Sequence, residues 1–190
     1  MVVSHDRMRL GLVYLPSPEV SARCVRYAES LLEGLTPRML VGPGALPHLS
    51  LLHVESELPP QRLFDEALGA LPPRCTFDIL ALGLMPYDDP YNAPPASPAT
   101  MAWLIVPCSA SLRALERAAV ALAVLRGLPI TTGNGDDFQP HLTIATWEGR
   151  RAPLAFAPPV DLIPTKGLEG RLALGIIGAN GVYERTLFEA

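Results

Sequence analysis

The feature that most constrains the fold of this chain is a short motif that occurs twice. Pro47-His48-Leu49-Ser50-Leu51 recurs as Pro140-His141-Leu142-Thr143-Ile144, 93 residues further along. At the same offset Gly34-Leu35 matches Gly127-Leu128 without a gap. Self-similarity at one fixed offset indicates equivalent structural units. A chain built from two such units, related by a pseudo-two-fold axis, is expected to have a central cleft between two lobes.

The match extends to the start of each unit, where the apolar stretch beginning at Met8 falls on the one beginning at Met101. We therefore predict a single domain over residues 1–190, with repeat units at about 8–85 and 101–178. A second match, Leu80-Ala81-Leu82-Gly83 on Leu172-Ala173-Leu174-Gly175, has an offset of 92 residues and is weak in a sequence so rich in these residue types.

Apolar periodicity and capping residues predict the order of elements. Ser17 and Ser109 are suited to cap helices that end near Gly34 and Gly127. Residues 86–100, rich in proline, form a predicted irregular loop. The remaining predictions are strands at 8–15, 48–55, 75–83, 101–106 and 141–147, a helix from about 60 to 71, a loop at 129–140, and a hairpin of 171–177 with 182–188 around Asn180-Gly181.

The repeated motif places an imidazole beside a hydroxyl. Side chains alternate between the two faces of a strand, so His48 and Ser50 share one face, as do His141 and Thr143. One imidazole can remove a proton from an attacking oxygen while the other protonates a leaving oxygen. The hydroxyls can donate to phosphate oxygens. We predict His48 and His141 as catalytic and Ser50 and Thr143 as phosphate ligands.

Other candidates have less support. Strict alternation places His53 on the opposite face of its strand from His48, which predicts a packed or surface histidine. Tyr14 and Phe138 are weaker candidates, taken from several aromatic residues that could stack on a base, although core packing or loop anchoring is the favoured explanation for each of them. The others are Tyr87, Tyr91 and Trp147. No HExxH pattern or carboxylate ligand set accompanies the histidines, so no metal and no cofactor are predicted.

Composition excludes several classes of function. The net charge is −4 and the chain has a single lysine, Lys166, so a broad electrostatic contact with duplex DNA is not expected. Cys24, Cys75 and Cys108 are odd in number and widely spaced, which predicts free, buried thiols and no disulfide framework. No stretch has the length of a membrane span or of a signal-peptide core. We expect a cytoplasmic monomer with no membrane partner.

With both motifs intact, the sequence resembles the 2H phosphoesterase superfamily, also called the 2′-5′ RNA ligase-like or cyclic phosphodiesterase family. The opening stretch from Arg9 to Pro16 is similar to that family's first strand, and the order of elements is similar over nearly the whole chain. The resemblance implies a bilobal α+β fold with an antiparallel sheet in each lobe. It also implies metal-independent chemistry at 2′,3′-cyclic or 2′-5′ phosphodiester bonds of small nucleotides or RNA ends.

Three functions follow from these patterns. The first is a two-histidine phosphodiesterase. The second is a binding module that holds a nucleotide or an RNA end without chemistry. The third is an RNA end-joining or processing factor that works with a partner. The sequence does not distinguish acid from base among the two histidines, because the pseudo-symmetry makes them equivalent.

Overall fold

A computed structural model describes residues 7–87, 98–149, 162–178 and 181–190 of the chain. The helices are α1 (Pro18–Leu31), α2 (Pro60–Ala70) and α3 (Ala110–Leu125). The strands are β1 (Met8–Pro16), β2 (Pro37–Leu40), β3 (Leu49–Ser56), β4 (Arg74–Phe77), β5 (Ala81–Tyr87), β6 (Ala99–Ile105), β7 (His141–Glu148), β8 (Leu168–Ile177) and β9 (Tyr183–Glu189). None of the helices in these ranges is long and apolar enough to cross a membrane.

The strands form two antiparallel sheets, which confirms the predicted α+β class. One sheet has the order β3-β1-β8-β4, with β9 also paired to β8. The other has the order β2-β7-β6-β5. A shared apolar core lies beneath both sheets and includes Leu12 and Leu49 of the first and Leu104 and Leu142 of the second. The two predicted histidine strands are therefore β3 in one sheet and β7 in the other.

Helices α1 and α3 begin at the predicted capping residues. The Ser17 hydroxyl accepts from the backbone N–H of Val20 at 3.3 Å, and the Ser109 hydroxyl accepts from that of Leu112 at 3.2 Å. Each cap satisfies one of the backbone donors that a helix leaves unpaired at its start. Gly34 and Gly127, which follow these helices, have φ of 75° and 62°, a conformation that favours glycine.

The two halves of the sequence exchange elements reciprocally. Strand β2 of the first half pairs with β7 of the second, where Pro37 faces Trp147. A bridge between Val54 and Ile130 joins β3 to the loop of the second half in the equivalent way. Val54 is 93 positions before Trp147, and Ile130 is 93 positions after Pro37. The exchange includes the helices, because α1 packs on β7 and α3 packs on β3.

The first strands do not follow the same offset. In sheet pairing Val13 faces Ser50, and Trp103 faces Thr143. Val13 is therefore equivalent to Trp103, an offset of 90, whereas the histidine strands are related by 93. The predicted overlap of Met8 with Met101 is displaced by three residues. Two of these lie between the strand and the helix cap of the second half, and the third lies between that cap and Gly127.

One strand prediction and one loop prediction were wrong in their boundaries. The stretch 75–83 is two strands in different sheets, because β4 pairs with β8 while β5 pairs with β6. The predicted loop 86–100 is shorter, since Pro86 and Tyr87 pair with Thr100 and Ala99. Residues 88–97 lie outside the described ranges.

The C-terminal residues were predicted to form a hairpin. β8 and β9 pair antiparallel as predicted, although Asn180 lies outside the described residues.

All three cysteines are free. Cys24 is buried and Cys75 is half-buried, whereas Cys108 is exposed, so burial was wrong for that residue. It precedes the Ser109 cap, in the segment that joins β6 to α3.

Candidate active site

A cleft of about 410 Å³ is lined by residues from both sheets. Its lining includes the four residues that the repeated motif predicts, His48, Ser50, His141 and Thr143. The two histidines thus face one solvent-accessible space. The further lining residues are Leu51, His53, Tyr87, Met101, Trp103, Thr131, Thr132, Gly133, Asp137, Phe138, Gln139 and Gly181.

The two predicted catalytic histidines are held in the same way. His48 Nδ1 lies 2.7 Å from the carbonyl oxygen of Leu46, and His141 Nδ1 lies 2.7 Å from that of Gln139. A carbonyl oxygen can only accept, so each Nδ1 carries the proton and donates it. In the neutral ring Nε2 then has the free lone pair, which makes it the atom that can take up a proton in the cleft.

Each of these rings also packs against an aromatic side chain. The ring centroids of His48 and Tyr183 are 5.2 Å apart, and those of His141 and Trp103 are 4.6 Å apart. Both aromatic side chains lie over a strand glycine. A Cβ at Gly83 would be 2.1 Å from Trp103 Nε1, and a Cβ at Gly175 would be 2.4 Å from the Tyr183 hydroxyl. These glycines make room for the side chains that support the imidazoles.

Each histidine strand contains a β-bulge at the same place. Leu12 faces Leu52 while Val13 faces Ser50, so Leu51 is an extra residue without a partner. The same shift in the other sheet leaves Ile144 as the extra residue, between Thr143 and Ala145. A bulge reverses the alternation of side chains along its strand. It therefore brings the residue three positions after each hydroxyl onto the same face of the strand as that hydroxyl.

Because of the bulge, the prediction that His53 faces away from His48 was wrong. His53 lines the cleft, and its ring centroid is 6.3 Å from that of His48. Its Nε2 lies 3.1 Å from Ser50 Oγ. The residue at the equivalent position of the other strand is Thr146, which is also buried. The signal for this arrangement is present in the sequence, since two consecutive apolar residues separate Ser50 from His53 and Thr143 from Thr146.

Burial dominates the electrostatics of the three imidazoles. It lowers the pKa of His48 to about 4, against a smaller opposing effect of the bond to Leu46. It lowers the pKa of His53 to about 3, with further contributions from His48 and His141. The pKa of His141 is also lowered by burial, although that residue is the more exposed of the two predicted catalytic histidines. All three rings are therefore mainly neutral at pH 7 before an anion enters.

The cleft offers hydroxyl groups but few charges. Ser50 is hydrogen-bonded to His53, whereas the Thr143 hydroxyl donates only to the sulfur of Met101 at 3.9 Å. Of the residues that the structure describes, none in the cleft lining is Lys or Arg, and Asp137 carries the single carboxylate. The negative charge of a phosphate in this space would accordingly be met by imidazole rings and hydroxyl groups.

The loop between α3 and β7 connects the two sides of the cleft. Its first part lies along β3, where the N–H of Thr131 donates to the carbonyl of His53 at 2.9 Å. Its last part supplies Gln139, which holds His141. Between these points the buried carboxylate of Glu116 on α3 accepts from the N–H of Gly135 at 2.7 Å. The loop thus fixes the backbone beside His53 and the ring of His141 together.

The aromatic candidates are divided between the cleft and the core. Phe138 contributes to the cleft lining but is only 6% exposed and belongs to the apolar core, and the Arg113 guanidinium lies 5.6 Å from its ring centroid. Tyr87 also lines it. Tyr14 does not, because it is fully buried and its hydroxyl donates to the carbonyl of Pro72 at 2.8 Å. Trp147 is likewise in the core, and Tyr91 lies outside the described residues.

Within the described ranges, no three His, Cys, Asp or Glu side chains are grouped as the ligands of one metal ion would be. His48, His53 and His141 all line the cleft, but their side chains do not form a group of this kind. Metal independence stays a prediction.

Comparison with known proteins finds similarity among solved structures. No protein-family model matches the chain, and no curated protein matches it. The solved structure of Kluyveromyces marxianus Usb1 with uridine monophosphate is similar over 73% of this chain and 72% of its own, with 13% sequence identity and a TM-score of 0.38. No residue role is transferred from so distant a likeness.

Proposed function

We propose that this chain is a phosphodiesterase that cleaves 2′,3′-cyclic or 2′-5′ phosphodiester bonds of small nucleotides or RNA ends, without a metal ion. The observation that supports this proposal is the pair of imidazoles that line one cleft, each with Nδ1 held by a carbonyl and Nε2 left for proton transfer. Two imidazoles, each of which can be neutral or protonated, lie beside two hydroxyl groups. This set suits a reaction in which the attacking oxygen loses a proton and the leaving oxygen of a phosphate ester gains one.

In the proposed reaction His48 is the general base and His141 is the general acid. His48 Nε2 takes a proton from the attacking water, whose oxygen forms a new bond to phosphorus. His141 Nε2 gives its proton to the oxygen whose bond to phosphorus breaks. The products are a phosphate monoester and a free hydroxyl group. Ser50 and Thr143 donate hydrogen bonds to the non-bridging oxygens.

The assignment of roles rests on burial. His48 is more buried than His141, and this burial lowers its pKa to about 4, so it resists protonation more strongly. A phosphate anion favours the charged form of a nearby imidazole. The more exposed His141 is the ring that would gain this proton at the lower cost.

The test is turnover of 2′,3′-cyclic nucleotides and 2′-5′-linked dinucleotides in the presence of EDTA. The wild-type protein should release product, and H48A and H141A should each lower kcat by about 10²–10⁴-fold. The double variant should be little worse than either single variant, because the two groups act in one step. A matched control is S30A, whose hydroxyl bonds only the Tyr27 carbonyl on α1.

Undiminished activity in either histidine variant would contradict the proposal, as would activity that EDTA abolishes. Saturable binding without product over long incubation would instead support the non-catalytic binding module. Melting temperatures of all variants should be compared with wild type, so that lost activity is not confused with lost structure.

A further inference from the structure

We propose that His53 is a positioning residue that orients the Ser50 hydroxyl, so that Ser50 donates its proton into the cleft. The inference rests on the proposed function for its consequence in catalysis, since Ser50 would be donating to a phosphate oxygen. Its physical basis is independent of that function. It is the 3.1 Å contact between His53 Nε2 and Ser50 Oγ, together with the surroundings of the other ring nitrogen.

The position of His53 results from the bulge at Leu51, and the neighbouring strand carries a glycine opposite it. Gly11 faces His53 across β1 and β3, and a Cβ at Gly11 would lie 3.4 Å from His53 Cδ2 and 2.5 Å from Ile177 Cδ1. The backbone of His53 is held as well, because its N–H donates to the Thr132 hydroxyl at 3.1 Å. The ring is 5% exposed, in a place where its orientation is set by packing.

The surroundings of Nδ1 decide which ring nitrogen carries the proton. His53 Nδ1 is buried and finds no hydrogen-bond partner among the described residues. A buried N–H without an acceptor is among the rarest and most costly features of folded proteins, whereas an unused lone pair is better tolerated. The proton therefore belongs on Nε2, and Nε2–H donates to Ser50 Oγ. This is the opposite tautomer from that of His48 and His141.

A hydroxyl that accepts from an imidazole must direct its own proton elsewhere. Because His53 occupies one side of Ser50 Oγ, the hydroxyl proton is left for the cleft, where a phosphate oxygen can accept it. Burial and the neighbouring rings keep His53 uncharged, with a pKa of about 3, so this arrangement holds throughout the neutral range. Ser50 is then a preorganised donor, which is the form that stabilises developing negative charge.

The other half of the cleft lacks this device. The equivalent of His53 is Thr146, and the Thr143 hydroxyl has only a long contact to the Met101 sulfur. Nothing of comparable strength among the described residues fixes the direction of the Thr143 proton. The two hydroxyls of the repeated motif are therefore chemically unequal.

The first experiment determines the tautomers directly. Uniformly ¹⁵N-labelled protein is studied by long-range ¹H–¹⁵N correlation at pH 7, with H53Q used to assign the His53 signals. We expect the Nε2–H form for His53 and the Nδ1–H form for His48 and His141. A His53 ring with its proton on Nδ1, or a charged ring, would overturn the inference. This result does not depend on any enzymatic activity.

The second experiment is a double-mutant cycle with S50A and H53L, read as kcat/KM on a cyclic nucleotide and as affinity for inorganic phosphate. Loss of one hydrogen bond of this kind corresponds to roughly a tenfold effect. H53L should lower both quantities about tenfold in the Ser50 background and leave them nearly unchanged in the S50A background. H53Q retains an N–H donor and should recover most of the loss.

Independent, multiplying effects of S50A and H53L would overturn the inference, as would equal losses in H53Q and H53L. S30A again serves as the serine control. If the wild-type protein cleaves no phosphodiester, the proposed function fails, while the tautomers and the phosphate affinities still decide the role of His53. If H53L does not fold, the H53Q variant and the tautomers of the wild-type protein still test the inference.

Discussion

The two histidine sites of this cleft share their construction and differ in their surroundings. Each imidazole donates Nδ1–H to the carbonyl two residues before it, packs on an aromatic ring over a glycine, and precedes a hydroxyl and a bulge. His48 has Tyr183 and a second imidazole beside it. His141 has Trp103 and is more exposed. A repeated motif thus supplies two copies of one device, and neighbouring side chains give the copies different chemistry.

The difference matters because acid–base catalysis needs one neutral and one protonated ring at the same time. Identical sites would titrate together. In the proposed mechanism, deeper burial on the His48 side lowers the pKa of that ring further and assigns it the role of base. The following predictions test this asymmetry in order of decreasing expected effect.

The largest effect should depend on the leaving group. On a cyclic nucleotide, whose alkoxide leaving group needs a proton, H141A should lose about 10²–10⁴ in kcat. On a nucleoside 4-nitrophenyl phosphate, whose leaving group needs none, H141A should lose far less. H48A should be impaired on both substrates. If H48A instead lost activity on the cyclic nucleotide alone while H141A lost it on both substrates, the roles of the two histidines would be exchanged. Equal losses of both variants on both substrates would contradict the asymmetry.

A second effect should appear in the pH dependence of kcat/KM, which reports the free enzyme. The base must be unprotonated, which places the acid limb near the pKa of His48, about 4. The acid must be protonated, and the pKa of His141 is lowered from 6.5. The optimum should therefore lie below pH 6.5, with about a tenfold fall per pH unit on the alkaline side. An optimum above pH 7 would contradict this ordering.

A third effect should appear in stability at low pH. The folded pKa values of His48 and His53 are about 4 and about 3, below the ordinary value of 6.5. As the pH falls below 6.5 the unfolded chain takes up protons that the folded chain does not, so the free energy of unfolding decreases. Each ring contributes about 1.4 kcal/mol per pH unit until its folded pKa is reached.

The variant H53Q isolates one part of this slope. Between pH 6 and pH 4 its free energy of unfolding should fall less steeply than that of wild type, by about 1.4 kcal/mol per pH unit. Urea unfolding at several pH values measures the difference. T146A, the change at the equivalent position of the other strand, removes no titrating group and should leave the slope unaltered. Equal slopes in wild type and H53Q would show that His53 is not held uncharged.

The smallest effects concern the glycines under the two aromatic rings. The Cβ of G175A would meet the carbonyl oxygen of Arg185 at 2.3 Å, which is backbone, whereas that of G83A would meet the indole ring of Trp103, a side chain that would have to shift against His141. G175A should cost about 1–3 kcal/mol of stability and G83A less. G127A, with open space but a φ of 62°, should cost about 1–2 kcal/mol from backbone strain alone. A larger loss in G83A than in G175A would contradict the comparison.

The sequence was most informative where chemistry and periodicity coincide. His48, Ser50, His141 and Thr143 line the cleft because a strand start obeys simple alternation. Prediction failed for His53 because one extra residue in β3 reverses that alternation, and the adjacent apolar pair before it was read as part of a regular strand. Tyr14 was a candidate for the cleft but lies in the core, because alternation does not say which face of a sheet is covered by a helix.

Other failures come from contacts distant in sequence. β2 is only four residues long and has no clear period, so pairing with β7 defines it. Tyr183 and Trp103 support the two histidines from strands outside the motif, and nothing local marks them. The three-residue difference between the offsets of the first strands and the histidine strands is likewise visible only in pairing register.

The reciprocal exchange of strands has a consequence for how the molecule can be divided. A break in the chain between β5 and β6 would leave the N-terminal fragment without β8, which lies between β1 and β4, and without β7, the neighbour of β2. Neither fragment could complete a sheet alone, so the two would have to assemble as an intertwined heterodimer.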